Sequence, residues 1–270
     1  VAGYIFEKMD ANDKIESEKK KNTPLKNEVL YGVKAYKSYF MLGDYMVALG
    51  AGITNLTPQM EGAVRTTIDQ PKKESEVVVW SNGKTLPVGN GVQDFPKDDT
   101  SFWVVQKGKF AYSILPQYTQ KASFVCETLK TDWVKRNSAN KSIKDLPSQV
   151  DVLRLWIDHT QKPVNDTYGY VVYAGEGMPF EVLRNDTLVQ AVKSKDSKVI
   201  EAVFYQSGVV LDKGGVKLEV SAPCTVLIED VNGKTTVSVT DAAMNAELKE
   251  IVLQWNGKRI PVAMPQGAFC

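Results

Sequence analysis

Apolar runs rich in β-branched and aromatic residues alternate with short polar segments that contain turn residues along most of the chain. Runs of this length and composition are typical of strands. The sequence therefore predicts an all-β chain. The clearest runs are residues 76–80, 102–106, 110–115, 168–173, 199–205, 216–220, 225–231, 234–239 and 248–255.

Turn residues between these runs predict hairpins. Asn-Gly pairs occur at Asn82-Gly83, Asn232-Gly233 and Asn256-Gly257, each between two strand-like runs. Both residue types tolerate a positive φ, which the type I′ turn of a two-residue hairpin requires. Residues 36–53 predict a further hairpin, because an aromatic strand, a Gly-Asp turn and a second apolar strand follow one another.

Helical signals are weak, and one break divides the chain. Residues 10–21 are charged without an apolar stripe and are interpreted as an exposed loop, whereas residues 241–247 open with a capping Asp but are short. Glycines and a proline at 175–179 follow an aromatic strand and predict a domain boundary near residue 178. The predicted architecture is a large antiparallel β-sandwich at residues 1–178 and a smaller β-sandwich at 179–270.

The charge balance argues against several classes of partner. Lys and Arg total 33 against 32 Asp and Glu, and the net charge is +1. Such a chain has no overall attraction to nucleic acid or anionic lipid, so no nucleic-acid partner is expected. No apolar stretch reaches the roughly 18–20 residues of a membrane span, and the N-terminal residues lack the basic start and apolar core of a signal peptide.

Residues with metal-binding or acid–base chemistry are few. His159 is the only histidine, which excludes sites with several histidine ligands. Cys126, Cys224 and Cys270 lack metal-binding spacing. One disulfide among them is compatible with the sequence, and the redox compartment stays open. No metal or cofactor is expected.

Several motifs occur in a characteristic order. In this order they resemble the β-sandwich portion of polysaccharide lyase family 8, which includes chondroitin AC and ABC lyases, hyaluronate lyase and xanthan lyase. Residues 189–240 are similar, more weakly, to the small C-terminal sandwich of that family. Thr160 departs from the family pattern, where glycine usually follows the histidine, and a different local turn is expected there. The motifs are Asp44, Leu-Gly-Ala-Gly-Ile at 49–53, Thr-Thr-Ile-Asp-Gln at 66–70, Asp158-His159, Pro163 and Tyr168-Gly169-Tyr170.

The resemblance implies cleavage of uronic-acid polysaccharides by β-elimination. In this reaction a base removes the proton beside the uronate carboxylate, another group neutralises that carboxylate, and an acid protonates the leaving oxygen. The family carries these groups on an α-helical toroid that precedes the sandwich and close to the start of the sandwich. Residues 2–6 match a strand that follows those positions, so we assign no catalytic residue here and expect this chain alone to be inactive.

The same resemblance implies the partners and the location. An acidic polysaccharide (chondroitin sulfate, dermatan sulfate or hyaluronan) and the upstream toroid domain of the same enzyme are the expected partners. A secreted or periplasmic location is expected with them.

Tyr39 and Trp133 are the candidate substrate-binding residues. Tyr39 matches a position where a chondroitin AC lyase relative has a tryptophan that stacks on the sugar, and the alternative is a strand aromatic that faces the core. Trp133 lies in a basic stretch, residues 119–144, that could attract an acidic polymer or form a solvated loop. The basic residues of that stretch include Lys130, Lys135, Arg136, Lys141 and Lys144.

Other conspicuous residues are interpreted as structural. His159 matches a histidine of a sandwich turn, so a hydrogen-bonded structural role is expected. The remaining tryptophans lie in apolar strand patterns and are expected in the core; they are Trp80, Trp103, Trp156 and Trp255.

Two other functional classes stay open. One is a free-standing carbohydrate-binding or adhesive β-sandwich, and the other is a purely structural domain that packs on neighbours through apolar surfaces. The reading frame upstream of Val1 would separate a lyase, preceded by hundreds of helical residues, from a free-standing module.

Overall fold

The computed structural model describes residues 1–9, 32–97, 99–116, 118, 121–130, 149–173, 179–241 and 243–266. Throughout these ranges the regular structure is antiparallel β-sheet, which confirms the predicted fold class. The described residues contain no helix that could cross a membrane.

The strands, in chain order, are β1 Ala2–Met9, β2 Gly32–Leu42, β3 Tyr45–Asn55, β4 Arg65–Asp69, β5 Val77–Ser81, β6 Lys84–Pro87, β7 Gln93–Asp94, β8 Trp103–Gln106, β9 Ala111–Ile114, β10 Lys121–Lys130, β11 Gln149–Asp158, β12 Asp166–Tyr173, β13 Phe180–Asn185, β14 Val189–Ser194, β15 Val199–Phe204, β16 Val210–Lys213, β17 Val216–Val220, β18 Cys224–Val231, β19 Lys234–Thr240, β20 Glu250–Trp255 and β21 Lys258–Ala263.

Two compact units contain these strands. Unit 1 comprises the described residues of Val1–Val64, Gln161–Gly169 and Glu176–Cys270, and unit 2 those of Arg65–Thr160 and Tyr170–Gly175. The domain boundary near residue 178 stays a prediction.

The Asn-Gly turns form as expected. Asn82, Asn232 and Asn256 have φ of 51°, 55° and 46°, and the glycines that follow them also have positive φ. Each pair closes a two-residue hairpin, joining β5 to β6, β18 to β19 and β20 to β21. The hairpin predicted at residues 36–53 is confirmed as β2 and β3, with Leu42 opposite Tyr45 across the Gly43-Asp44 turn.

The weak helical signals have different outcomes. Residues 10–21 lie outside the described residues. The Asp241 carboxylate accepts hydrogen bonds from the backbone N–H of Ala243 at 2.8 Å and of Asn245 at 2.7 Å, and turns follow it instead of a helix. A capping residue alone does not sustain a helix where the next residues offer no apolar stripe to bury.

Unit 1 contains a β-sandwich with a continuous apolar core. Its sheets have the strand orders β13-β14-β15-β18-β19 and β16-β17-β20-β21, and the order β1-β2-β3 also lies in unit 1. The core includes Leu183, Phe204, Leu218, Val226 and Leu253, all nearly inaccessible to solvent. Alternate residues of each strand point inward, as expected for sheets that face each other.

A buried polar network connects β2 to β14 in the same unit. The Ser38 hydroxyl donates to Gln190 Oε1, and the Tyr205 hydroxyl lies 2.7 Å from the same oxygen. Gln190 Nε2 donates to Asn185 Oδ1 at 2.7 Å. Asn185 Nδ2 donates in turn to the carbonyls of Gly50 at 3.1 Å and Tyr168 at 3.0 Å. Each buried amide therefore has partners, which removes the desolvation penalty that an unpaired amide would carry.

Unit 2 has its own core. Its strand orders are β9-β8-β5-β6 and β4-β11-β10-β7. Phe95, Phe102 and Phe124 form an aromatic cluster with ring centroids 5.4–6.2 Å apart. The Tyr112 hydroxyl of β9 donates to Asp69 Oδ2 of β4 at 2.7 Å. Burial raises the Tyr112 pKa, so the phenol stays protonated and able to donate.

Candidate functional site

The pairing of β1 with β2 gathers aromatic side chains on one face. Ala2 lies opposite Tyr39, and Tyr4 lies opposite Lys37. Directly opposite residues of an antiparallel pair share a face, and so do alternate residues of one strand. We call the face that carries Tyr4, Phe6, Lys37, Tyr39 and Met41 the β1–β2 face.

Two ring contacts organise the β1–β2 face. The rings of Tyr4 and Tyr39 stack, with centroids 6.3 Å apart and planes at 16°. The Lys37 ammonium lies 5.0 Å from the centroid of the Phe6 ring. Pairs of both kinds are favourable beyond the apolar area that they bury. The rings therefore hold one another in position at the surface.

Tyr39 is a surface residue of its strand and not a core residue. Its side chain is half-buried, whereas the next residue, Phe40, is fully buried on the opposite face. Its neighbours Tyr4 and Met41 are 44% and 58% exposed. The core interpretation of Tyr39 is thus not supported, and its ring remains partly accessible beside Tyr4. Its role as a substrate-binding residue stays a prediction.

The opposite face of β2 anchors this surface. Ser38 lies between Lys37 and Tyr39 and donates to the buried Gln190 side chain. The Tyr205 hydroxyl lies 2.9 Å from the Lys37 carbonyl oxygen. Burial raises the Tyr205 pKa, so this phenol also stays protonated. Hydrogen bonds on the buried face of β2 therefore hold the strand in place, and the side chains of its other face are partly accessible to solvent.

The β1–β2 face combines aromatic rings with a charged donor. Aromatic rings present apolar faces that match the C–H face of a pyranose, and the tyrosine hydroxyl adds a polar group. The Lys37 ammonium supplies a positive charge and three donors. An acidic sugar would find both kinds of contact within this one face.

His159 has the structural environment expected for it. The side chain is 3% exposed, and its Nε2 lies 2.9 Å from the Thr66 hydroxyl, at the paired ends of β4 and β11. Next to it, Arg65 Nε donates to Asp158 Oδ2 at 3.1 Å. The hydrogen bond predicted for His159 is observed, and the structure adds that the side chain is buried.

Thr160 takes a backbone conformation that glycine adopts freely. Its φ is 68°, in the left-handed region, and its N–H donates to Asp158 Oδ1 at 2.8 Å. A β-branched residue is disfavoured there because its side chain crowds the backbone. The turn after His159 therefore has the geometry of a glycine turn although threonine occupies it.

The second candidate residue, Trp133, lies outside the described residues, as do Lys135, Arg136, Lys141 and Lys144. Lys130 is exposed at the end of β10. Trp133 stays a prediction on the sequence evidence alone.

The other tryptophans differ in burial. Trp103 is buried, as predicted for a core residue, and its ring centroid lies 6.2 Å from that of Tyr173. Trp80, Trp156 and Trp255 are half-buried. Trp255 nevertheless packs against the apolar core of unit 1. The apolar strand pattern did not distinguish a fully buried tryptophan from a partly buried one.

Sequence reasoning missed three features of the surface. Tyr4 and Lys37 join Tyr39 only through the register of β1 on β2. The guanidinium groups of Arg65 and Arg154 each lie 5.6 Å from the Trp156 ring. The alternation of Tyr4 with Phe6 and of Lys37 with Tyr39 was the available signal, because period-two spacing marks one strand face.

The described residues include two cysteines, neither of which is in a disulfide. Cys126 and Cys224 are free thiols, and Cys270 lies outside the described residues. Burial raises the pKa of the Cys224 thiol to about 12, so it stays protonated and unreactive. Within the described ranges, no three His, Cys, Asp or Glu side chains come together as a metal site.

Models of known families match both parts of the chain. The super-sandwich domain of polysaccharide lyase family 8 matches residues 16–178, and the C-terminal beta-sandwich domain of the same family matches residues 181–249.

Curated relatives have similar sequences. Chondroitinase-AC of Pedobacter heparinus is 29% identical over 89% of this chain and 36% of its own length. Hyaluronate lyase of Thermasporomyces composti is 25% identical over 83% of this chain and 28% of its own length. Xanthan lyase of Bacillus sp. strain GL1 is 29% identical over 65% of this chain and 20% of its own length. The chain thus spans well under half the length of these relatives.

Solved structures show the same fold. A chondroitinase AC lyase studied in enzyme–oligosaccharide complexes superposes with a TM-score of 0.70 at 25% identity, covering 90% of this chain and 38% of that one. A Paenibacillus xanthan lyase gives a TM-score of 0.65 at 21% identity, covering 83% of this chain and 23% of that one. The family resemblance read from the motifs is confirmed, and the chain belongs to polysaccharide lyase family 8, in the super-sandwich and C-terminal sandwich portion of that family.

Proposed function

We propose that this chain is the C-terminal, non-catalytic part of a glycosaminoglycan lyase that acts by β-elimination on chondroitin sulfate, dermatan sulfate or hyaluronan. Its relatives include a chondroitinase-AC and a hyaluronate lyase. The chain corresponds to about a third of the first and less of the second. We further propose that an upstream α-helical toroid supplies the catalytic groups and that the enzyme is secreted or periplasmic, where such polymers are found.

His159, Tyr112 and Tyr205 are poorly placed to act as the base of a β-elimination, which supports a non-catalytic role. β-Elimination needs a base that can reach the proton beside the uronate carboxylate. His159 is buried against Thr66. The phenol of Tyr112 is buried and that of Tyr205 is half-buried, and burial raises the pKa of both, which opposes ionisation. None of these three groups presents an accessible base to a polymer in solution.

The stacked Tyr4–Tyr39 pair is the observation that carries a substrate-contact role. We propose that Tyr39 receives a sugar ring beside Tyr4 and that Lys37 faces an acidic group of the same polymer. The half-buried ring, the exposed Tyr4 and the neighbouring ammonium support this assignment. Trp133 remains the second proposed contact, on its basic sequence surroundings alone.

An assay for unsaturated uronate tests the proposal. The 270-residue chain should show no growth of the absorbance of the unsaturated product on chondroitin sulfate, dermatan sulfate or hyaluronan. The full-length protein should give clear turnover on at least one of the three. Turnover by the isolated chain would show that the non-catalytic assignment is wrong. Binding without any turnover by the full-length protein would instead favour a carbohydrate-binding module.

A further inference from the structure

Unit 2 contains a cavity of about 360 Å³ beside the turn that joins β8 to β9. This volume lies within the range of small-molecule sites, roughly 300–1,000 Å³. Its lining includes buried residues of β8 and β9, two aromatic side chains and, at the rim, two half-exposed lysines. We call it the β8–β9 cavity; these residues are Val105, Ala111, Trp80, Phe110, Lys107 and Lys109.

The β8–β9 turn is held in one conformation. The Gln106 N–H donates to the Phe110 carbonyl and the Lys109 N–H donates to the Gln106 carbonyl, both at 2.9 Å. Gly108 has φ of 71°, which glycine adopts without strain. The Gln106 side chain is buried and donates to the Lys72 carbonyl at 3.1 Å. Phe110 is 52% exposed on this turn. Because the turn is already ordered, a ligand that contacts Phe110 does not have to order it on binding.

The rim of the cavity is charged but balanced. Lys107 Nζ lies 2.6 Å from Glu76 Oε2, and Lys109 Nζ lies 3.0 Å from Glu74 Oε2. The neighbouring ammonium lowers the Glu74 pKa, which keeps that carboxylate charged. Each pair offers donors and acceptors side by side, as a sugar hydroxyl requires, since it both donates and accepts. Each of the two rim lysines is therefore paired with a carboxylate, which offsets its attraction for a sulfate or a carboxylate.

We propose that the β8–β9 cavity binds one uncharged hexopyranose unit of a polysaccharide. The C–H face of the ring packs on Trp80 and Phe110, and the hydroxyls reach the Lys107–Glu76 and Lys109–Glu74 pairs. In unsulfated chondroitin the N-acetylhexosamine is the uncharged unit. The choice of that polymer rests on the proposed function, whereas the sugar class rests on the cavity alone.

Nuclear magnetic resonance of the 270-residue chain tests this site with an unsulfated chondroitin hexasaccharide as the probe. We expect saturable shifts at the Gly108 amide and the Trp80 indole. Phe110→Ala should raise the Kd from these shifts about fivefold, the effect of one aromatic contact. Val92→Ala, an exposed apolar residue of unit 2 that does not line the cavity, should leave the Kd unchanged.

The dependence of the Kd on ionic strength is a second test of the proposal. Raising it from about 0.1 M to about 1 M shortens the screening length severalfold, and binding through balanced pairs should weaken less than twofold. The absence of shifts at Gly108 and Trp80, an unchanged Kd in Phe110→Ala, or a loss of binding in high salt would each overturn the proposal. Unperturbed resonances elsewhere in the variant show that it is folded.

The two proposals fail separately. Tyr39→Ala should leave the shifts at Gly108 and Trp80 unchanged, because Tyr39 does not line the cavity. Turnover by the full-length protein with no binding at the cavity would overturn this inference and leave the proposed function in place. Cavity binding with no turnover on any of the three polymers would support the site and contradict the lyase assignment.

Discussion

At the scale of single residues, Thr160 has a strained backbone conformation, with φ of 68°. A non-glycine residue in the left-handed region costs roughly 1–2 kcal/mol, and the β-branch adds crowding. The hydrogen bond from the Thr160 N–H to Asp158 Oδ1 uses no side-chain atom of Thr160, so any residue type except proline at position 160 can keep it. A substitution at position 160 can therefore relieve the strain and keep the hydrogen bond of the turn.

We predict that Thr160→Asn stabilises the chain by about 0.5–1 kcal/mol, because Asn tolerates this φ without the chain entropy that Gly adds to the unfolded state. Thr160→Gly should gain less, since that entropy offsets part of the relief. Thr160→Ala is the control: it keeps the Cβ atom that is disfavoured at this φ, so its stability should rise only slightly. Urea unfolding measures all three, and a Thr160→Asn variant less stable than the parent would contradict the strain assignment.

At the scale of elements, the β1–β2 face depends on strand register. A shift of β1 by one residue would move Tyr4 to the opposite face, because side chains alternate along a strand. The observed register is supported by the Lys34–Glu7 ion pair, 3.1 Å apart on the face opposite Tyr39. Gly3 also fixes it, since a Cβ at that position would lie 2.4 Å from a Val203 methyl.

We predict that Tyr39→Ala in the full-length enzyme raises KM about fivefold, because one stacking contact is worth about 1 kcal/mol. Tyr39→Phe keeps the ring and the stack on Tyr4 and should retain most of the affinity. Val92→Ala, an exposed apolar residue of unit 2 that is not part of the β1–β2 face, is the control for removal of a surface side chain and should leave KM unchanged. Steady-state kinetics and thermal unfolding separate the two roles of Tyr39. A loss of stability with unchanged KM would assign it to packing.

At the scale of the whole molecule, unit 1 is assembled from segments far apart in the chain. Ser38 and Gln190 are 152 residues apart, and their hydrogen bond is buried. Lys37 and Tyr205 are 168 residues apart and are joined through a backbone carbonyl. Polar contacts of this kind specify which segments meet, because misaligned partners would leave buried groups unpaired.

We predict that Gln190→Ala destabilises the chain by about 3 kcal/mol, because it leaves the buried hydroxyls of Ser38 and Tyr205 and the Asn185 amide without their shared partner. Gln254→Ala, an exposed glutamine of the same unit, should change stability by less than about 0.5 kcal/mol. Denaturant unfolding with both variants provides the comparison. Equal effects of the two substitutions would show that the network adds nothing to stability.

Local sequence determined the strands, the hairpins and the family. The Asn-Gly turns were predictable because the preference for positive φ belongs to the two turn residues themselves. The family was predictable because its motifs are short contiguous segments. His159 and Trp103 were also placed correctly, since each lies in a segment that the motifs or the apolar pattern describe.

Only the tertiary structure decided what surrounds Tyr39. Its neighbour Tyr4 comes from another strand, and the network beneath it comes from β14 and from Tyr205, the residue that follows β15. Likewise, Trp80 borders a cavity only because β5 pairs with β8. Pairing across a sheet depends on which distant segments bury their apolar faces together. A pattern within one strand identifies its two faces but does not state what lies against either.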